Sequence, residues 1–468
     1  MNFPIYISSI FLLTLLLQTP FITPQLHFAF ELFRHGARAP SVLPSNNTDI
    51  FGEAWESPSH LTAVGLRQHY ILGHRNRLRY IETTSLLNKT FNPKELIVFS
   101  TDSDRTILSA NAQLQGLYPQ GTGHNLTSSQ AQSAIPPNDN SLYKDEQERL
   151  QLSALPDHME LIPVKTFIPS EHLVNLFSPS VCPNMSEILN NSTQQAKIQN
   201  YINTLHDKYS DVISKLTNTT VDNVMYDYDS TNIILDTFIS TYYDGKDLTK
   251  FTNAGINITD FLTDAFDFYT LDMIGNGEGH ELLTSISMTY VFKQLVKWMD
   301  MRIEMERNGK GNESDYTKPK FVMYSGHDST LGAFEGFMKY AFGCEVKYPK
   351  FASSVFVELW KGNDGEYNVE YYFNDEFVMS MRYDEFKSKV NANLQSDERI
   401  QTFCEFNNSN NNKKESSFNY FKLFGICLII VMVVLVVIMV YLIMIRYKIK
   451  TNKLNNVAMP KTKQELLV

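Results

Sequence analysis

The chain has 468 residues, with 41 Lys and Arg against 51 Asp and Glu, for a formal net charge of −10. That balance gives no overall field for holding nucleic acid, and an anionic substrate would need a local group of arginines. Between the two ends lie roughly 380 residues, enough for one large domain or two of ordinary size.

Taken in order, Ile5 to Leu17 form a short apolar run. It is too short to span a bilayer and reads as the core of a signal peptide over 1–22, cleaved between Gln18 and Pro24. No Lys or Arg precedes it, so the α-amino group supplies the only positive charge. His27 to Phe33 is an apolar, alternating strand, followed by Arg34-His35-Gly36-Ala37-Arg38-Ala39-Pro40. Leu61, Val64, Ile71 and Leu78 recur at helical spacing, which predicts an amphipathic helix over 62–80 with a basic outer face. Glu95 to Ser100 is a second strand, and a helix starting at Asp102 or Ser103 runs past Gln113. Residues 115–300 are rich in helical patterns and poor in strand signals, and read as a mainly helical cap region. Phe321 to Tyr324 is a third short strand, leading into a helix from Asp328 or Ser329 to Phe342. Ser353 to Trp360 and Tyr367 to Phe373 are a late pair of strands. The unit strand, turn, helix therefore occurs three times, which predicts an α/β sheet covered by helices on both faces, with ligands beyond its carboxyl ends.

After the domain, 23–405, come a polar, Asn-rich stalk over 406–422 and an uncharged apolar run over 423–445. As a helix that run would be about 34 Å long, enough to cross a membrane. Arg446, Lys448, Lys450 and Lys453 follow it and place the tail, 446–468, in the cytosol. Glycosylation sequons start at Asn46, Asn88, Asn125, Asn184, Asn190, Asn191, Asn218, Asn257, Asn312 and Asn407, all on the other side of the span. The expected topology is a single-pass type I membrane protein with a lumenal or extracellular domain, at the lysosomal membrane or the cell surface. Outside the span the cysteines are Cys182, Cys344 and Cys404, which allow one disulfide and leave one thiol.

All three turns carry residues suited to phosphate. Arg34, His35 and Arg38 follow the first strand, Arg105 stands early in the helix after the second, and His327 and Asp328 follow the third. Planar guanidinium groups match the oxygens of a phosphate monoester, and helix N-termini add unpaired N–H groups. A neutral imidazole can attack phosphorus, a carboxylic acid can protonate the leaving oxygen, and arginines can stabilise the transition-state charge. That chemistry needs no cofactor, and no His, Asp or Glu group has metal-ligand spacing; Asp227 and Asp229 read as surface acids. His60, His69, His74 and His124 read as surface or packing residues.

These residues resemble the histidine acid phosphatases. Arg34-His35-Gly36-x-Arg38-x-Pro40 matches the family's first motif. Three other segments are similar: Leu61-Thr62 with Gly65, Gln68, Gly73, Arg77 and Tyr80; Ser100-Thr101-Asp102 with Asp104-Arg105-Thr106; and Met323 to Asp328. The resemblance implies His35 as nucleophile, Asp328 as proton donor, and Arg34, Arg38, Arg105 and His327 as phosphate ligands. It implies an α/β three-layer sandwich with a mixed, mostly parallel sheet and a smaller helical region, and often a dimer. The prostatic and lysosomal branch is the most similar. It further implies a Cys182–Cys404 bridge, for which a chain-entropy model assigns roughly 4–5 kcal/mol. Ser354 stands where those relatives have a cysteine, so Cys344 is expected to be unpaired and buried. Two other readings stay open at this point: a catalytically silent ectodomain of the same fold, and a mutase-like phosphoryl transferase.

Overall fold

The computed structural model describes residues 24–404 except 45, 137–142, 168–181, 183, 185–191, 274–279, 312 and 314–316. The expected signal, stalk, span and tail lie outside the described residues. Among those described, no helix is long and apolar enough to cross a membrane.

The chain folds around a seven-stranded sheet in the order β3-β2-β4-β1-β5-β6-β7. Its strands are β1 (Gln25–Arg34), β2 (Leu96–Thr101), β3 (Val164–Phe167), β4 (Phe321–Gly326), β5 (Ser354–Lys361), β6 (Tyr367–Phe373) and β7 (Glu376–Arg382). The longer helices are α1 (Ala63–Arg77), α2 (Asp104–Leu117), α3 (Ser192–Thr217), α4 (Tyr228–Tyr243), α5 (Ile258–Met273), α6 (His280–Arg307), α7 (Asp328–Phe342) and α8 (Tyr383–Asn393). β1 pairs parallel with β4, and β2 parallel with β4 and β3. On the other side of β1, β5, β6 and β7 are antiparallel. The sheet is mixed, as expected, and its parallel part is confined to one half. There, a helix follows both β2 and β4, and the carboxyl ends of neighbouring strands come level, with Arg34 opposite Gly326 and Ser100 opposite Ser325.

β1 is buried over all but its first residue because helices cover both of its sides. Phe28, Phe30 and Leu32 face one core with Phe292 and Leu295 of α6, Phe334 and Phe337 of α7, and Phe386 of α8. Ring centroids of Phe292 lie 4.8 Å from Phe334 and 4.0 Å from Phe337; truncating such a residue costs about 3–5 kcal/mol. Ala29 and Phe33 face the opposite core, with Ala110, Leu114 and Leu117 of α2. The sandwich has its three layers. Two features of 115–300 differ from the expected cap: β3 joins the sheet edge, and α6 is a sheet-covering helix. The remainder, α3 to α5, has an aromatic core of its own around Phe238, Phe251, Phe261 and Phe268.

The expected amphipathic helix over 62–80 needs correction. The regular helix ends at Arg77 and passes into a π-helical turn over Leu78–Thr83. Its buried face is Gly65, His69, Gly73 and Asn76, while Ile71 is 60% and Leu78 50% exposed. The reason is a close helix crossing. A Cβ at Gly73 would overlap the backbone of Gln113, and one at Gly116 the backbone of Tyr70, so large apolar groups cannot occupy that face.

Cys182 and Cys404 form a disulfide, and Cys344 is a free, half-buried thiol. Asn46, Asn88, Asn125, Asn218 and Asn257 are exposed and Asn184 is half-buried. Asn190, Asn191, Asn312 and Asn407 lie outside the described residues.

Candidate active site

The carboxyl ends of β1, β2 and β4 bring together all six residues that the sequence singles out. The β1 loop is held from several sides. The His35 N–H donates to Gly326 O at 3.0 Å and the Gly36 N–H to Ser109 Oγ at 3.1 Å. The Ala37 N–H donates to Gln68 Oε1 at 2.8 Å. Gly36 lies against the start of α1, where an added Cβ would come 2.5 Å from Gly65 O. That approach is why position 36 takes glycine.

His35 is 2% exposed. Its Nδ1–H donates to the Gly36 carbonyl at 2.9 Å, which fixes the tautomer and leaves Nε2 with its lone pair. Burial, then Arg34, Arg38, His327 and Arg105, hold its pKa well below the ordinary value. Both causes favour the neutral imidazole. Its ring centre is 5.6 Å from that of His327, edge on.

Arg34, itself 2% exposed, donates from Nη1 to Tyr348 Oη at 2.9 Å and Pro349 O at 2.8 Å, and its Nη2 pairs with Asp328 Oδ2 at 2.5 Å. The guanidinium lies 4.4 Å from the Phe351 ring centre. Arg38 makes a two-point contact with Asp236 of α4, at 2.7 and 3.2 Å. Asp236 also accepts from the Ser41 N–H and hydroxyl, so one cap carboxylate clasps the loop beyond the histidine.

Arg105 differs. It has no carboxylate partner among the described residues, and its Nε is buried without a hydrogen bond. Its Nη2–H donates to His327 Nδ1 at 3.2 Å. His327 must then carry its proton on Nε2, which donates to Thr101 Oγ1 at 2.9 Å. Burial, and then Arg38, lower the Arg105 pKa to about 10, while burial, and then Arg105, lower that of His327 to about 4. Asp328 accepts from the Ser329 N–H at 2.8 Å at the start of α7. Burial pushes its carboxyl up, but Arg34 and Arg38 hold it below the usual carboxylate range.

Sequence reasoning missed the supports Asp236, Tyr348, Phe351 and Ser109, and it left Thr101, quoted only as part of a motif, and His69 without a role. His69 is fully buried, with Nε2 3.1 Å from Arg34 O and Nδ1 3.0 Å from Gln113 Oε1. Its place one residue after Gln68, on the face of α1 marked by Gly65 and Gly73, is the signal that could have exposed it. Asp227 caps α4, accepting from the Ser230 N–H, and no metal-binding group of acids, histidines or cysteines occurs among the described residues.

The arrangement can hold a tetrahedral dianion among three guanidinium groups and offer it an uncharged nitrogen nucleophile. Comparison with known proteins agrees. A lysosomal acid phosphatase of Xenopus laevis is 28% identical over 358 residues, 75% of this chain and 70% of that protein. A prostatic acid phosphatase of Bos taurus is 25% identical over 353 residues, 75% of this chain and 78% of that protein. Among solved structures, the phytase from Citrobacter braakii shares the fold, with a TM-score of 0.53 at 14% identity, over 79% of this chain and 98% of that one. The family model of the histidine phosphatase superfamily, branch 2, matches residues 25–374, and this chain belongs to that family.

Proposed function

We propose that the chain is an acid phosphatase that hydrolyses phosphate monoesters through a phosphohistidine at His35. The observation that carries this is the His35 tautomer: Nδ1–H is spent on Gly36 O, so the Nε2 lone pair is the free end of a neutral ring set among Arg34, Arg38 and Arg105. A phosphoryl group bound by these arginines, with His327 beside them, is attacked by Nε2 as the ester oxygen departs. In acid the ester is a monoanion, since its second pKa is about 6. It therefore brings the proton that the leaving oxygen needs. Asp328 is paired with Arg34 before substrate arrives. When Arg34 turns to the phosphoryl oxygens and an anion stands beside Asp328, the carboxylate takes that proton and delivers it to the leaving group. Water then hydrolyses the phosphohistidine, with Asp328 as base. The intact set of six residues leaves a silent ectodomain without an observation in its favour.

Rapid quenching with a radiolabelled ester should trap an acid-labile, base-stable label on the protein, and His35→Ala should abolish both label and turnover. A label that survives in a folded His35→Ala variant overturns the nucleophile assignment.

We also place the catalytic domain on the lumenal or extracellular side of a membrane crossed by 423–445. The one-sided sequons and the Cys182–Cys404 disulfide support this placement. Expressed in animal cells, the chain should lose apparent mass on glycosidase treatment and stay in the membrane pellet after alkaline carbonate extraction. Release by carbonate overturns the span.

A further inference from the structure

Beneath the nucleophile loop runs a buried polar chain that the proposed reaction does not use. Glu31 stands in the middle of β1 and is 0% exposed, on the sheet face covered by α1 and α2. Its Oε1 is 2.7 Å from Gln113 Nε2 and its Oε2 2.7 Å from Asn76 Nδ2. Gln113 Oε1 is 3.0 Å from His69 Nδ1, and His69 Nε2 is 3.1 Å from the carbonyl oxygen of Arg34. The chain therefore ends on the peptide that joins Arg34 to His35.

Its donors and acceptors allow two arrangements. A backbone carbonyl can only accept, so His69 Nε2 must carry hydrogen to hold Arg34. If His69 is neutral, its Nδ1 is then an acceptor, and Gln113 must present its NH₂ to His69 and its carbonyl to Glu31. Glu31 Oε1 must in turn carry a proton and donate it. If instead Glu31 is ionised, Gln113 donates to it and turns its carbonyl to His69, which must then hold both hydrogens as an imidazolium. A carboxamide turned through a half circle keeps its shape, so both arrangements fit the same space. The second puts two charges into the core. Burial, opposed by Gln113, Arg75 and Asn76, raises the Glu31 pKa to about 7, and burial lowers that of His69 to about 4. The uncharged arrangement therefore holds through the acid range.

We propose that Glu31, Gln113 and His69 are positioning residues for His35, and that one buried proton on Glu31 sets the Gln113 amide and the His69 tautomer that tie down the Arg34 carbonyl. Loss of that proton turns the Gln113 NH₂ toward Glu31 and draws the His69 hydrogen to Nδ1. A bare Nε2 then faces the Arg34 carbonyl, and the strap is released. Few charges compete with Glu31. On α1, Arg75 reaches Asp375, and in the following π-helical turn the Tyr80 hydroxyl donates to Glu358. α2 presents only Gln113. The flanking strand positions are Met323 and Phe356.

The inference rests on the hydrolase reading, and its test compares kcat profiles at saturating ester, so the ester's own ionisation is common to all variants. Glu31→Gln places a permanent donor toward Gln113 and should move the alkaline limb upward. At about pH 8 it should keep roughly threefold or more of the fraction of maximal kcat that the parent keeps. His69→Phe should lower kcat roughly tenfold with KM little changed, and in its background Glu31→Gln should no longer move the limb. An active parent whose alkaline limb is unmoved by Glu31→Gln, or moved equally in the His69→Phe background, overturns the strap. If His69→Phe fails to fold, His69→Gln takes its place in the cycle. A parent that hydrolyses no ester overturns the hydrolase reading instead.

Discussion

Two ionic clusters lie on the same sheet, and they differ in how completely their charges are answered. Toward the opposite end from the cradle, Glu358 of β5 is 0% exposed. It receives two bonds from Arg79, at 2.5 and 2.6 Å, one from Tyr80 at 2.7 Å and one from Trp360 at 3.0 Å. Every charge there has its partner, and the cluster pins the π-helical turn that follows α1 to the sheet. At the carboxyl end, three arginines meet two carboxylates. Arg34 has Asp328 and Arg38 has Asp236, whereas Arg105 has only the neutral His327. Arg105 is half-buried, and a partly desolvated charge left unanswered is destabilising, so the surplus cation marks where an anion belongs. The lesson is that burial and ion pairing alone do not distinguish a site from a brace; the imbalance does.

The sharpest way to break the comparison is to remove the surplus. Arg105→Ala should lower kcat/KM for a phosphate ester by about 10²–10³-fold, the range for losing one preorganised charge donor. It should also leave stability unchanged or improved, because the charge it deletes has no carboxylate partner. Steady-state kinetics and urea unfolding on the same preparation would test both halves. A loss of stability with kinetics intact would make Arg105 a brace after all.

The far cluster should answer the opposite way. Arg79→Met strands the buried Glu358 carboxylate and should cost about 2–3 kcal/mol in urea unfolding. The cost falls short of that for a fully buried pair because the Arg79 side chain is 30% exposed. Its kcat should stay within about twofold of the parent, since no group of that cluster touches the cradle. A kcat loss as large as that of Arg105→Ala would mean that the two ends are coupled through α1.

The cradle was legible in the sequence because its groups sit at fixed offsets after apolar runs. His35 and Arg38 follow β1, Arg105 is the second residue of α2, and Asp328 is the first of α7. Strand ends and helix starts are the features that short-range patterns mark best. The supports were not legible, since each comes from a distant element. Asp236 reaches Arg38 across 198 residues and Tyr348 reaches Arg34 across 314. The face of α1 was misread for a related reason. Apolar periodicity finds a packed face only where large side chains fill it, and α1 meets α2 through Gly73 and Gly116. The edge strands β3 and β7 were missed because a four-residue run and a half-exposed one carry little pattern.

The smallest expected effect concerns pH and extends the comparison to titratable groups whose pKa is set mainly by burial. His27, His69 and His327 are each held at about 4 with burial as the largest cause. The unfolded chain takes up their protons near 6.5, so their contribution is complete above about 6.5 and is lost as pH falls toward 4. Glu31 and Glu335 are each raised by burial to about 7. An unfolded carboxyl ionises near 4.3, so their contribution is complete below that value and is lost as pH rises through 7. The two sets squeeze stability from both sides, and with three histidines against two glutamates the maximum should fall near pH 6.5. Glu335 accepts a hydrogen bond from the Tyr371 hydroxyl in the core around α7, far from the polar strap under His35. Glu335→Gln should therefore recover about 1–2 kcal/mol at pH near 8 relative to pH near 5, without moving the kcat profile. Urea unfolding at the two pH values measures it. An equal change at both would mean that Glu335 is already ionised in the folded protein and that the alkaline loss arises elsewhere.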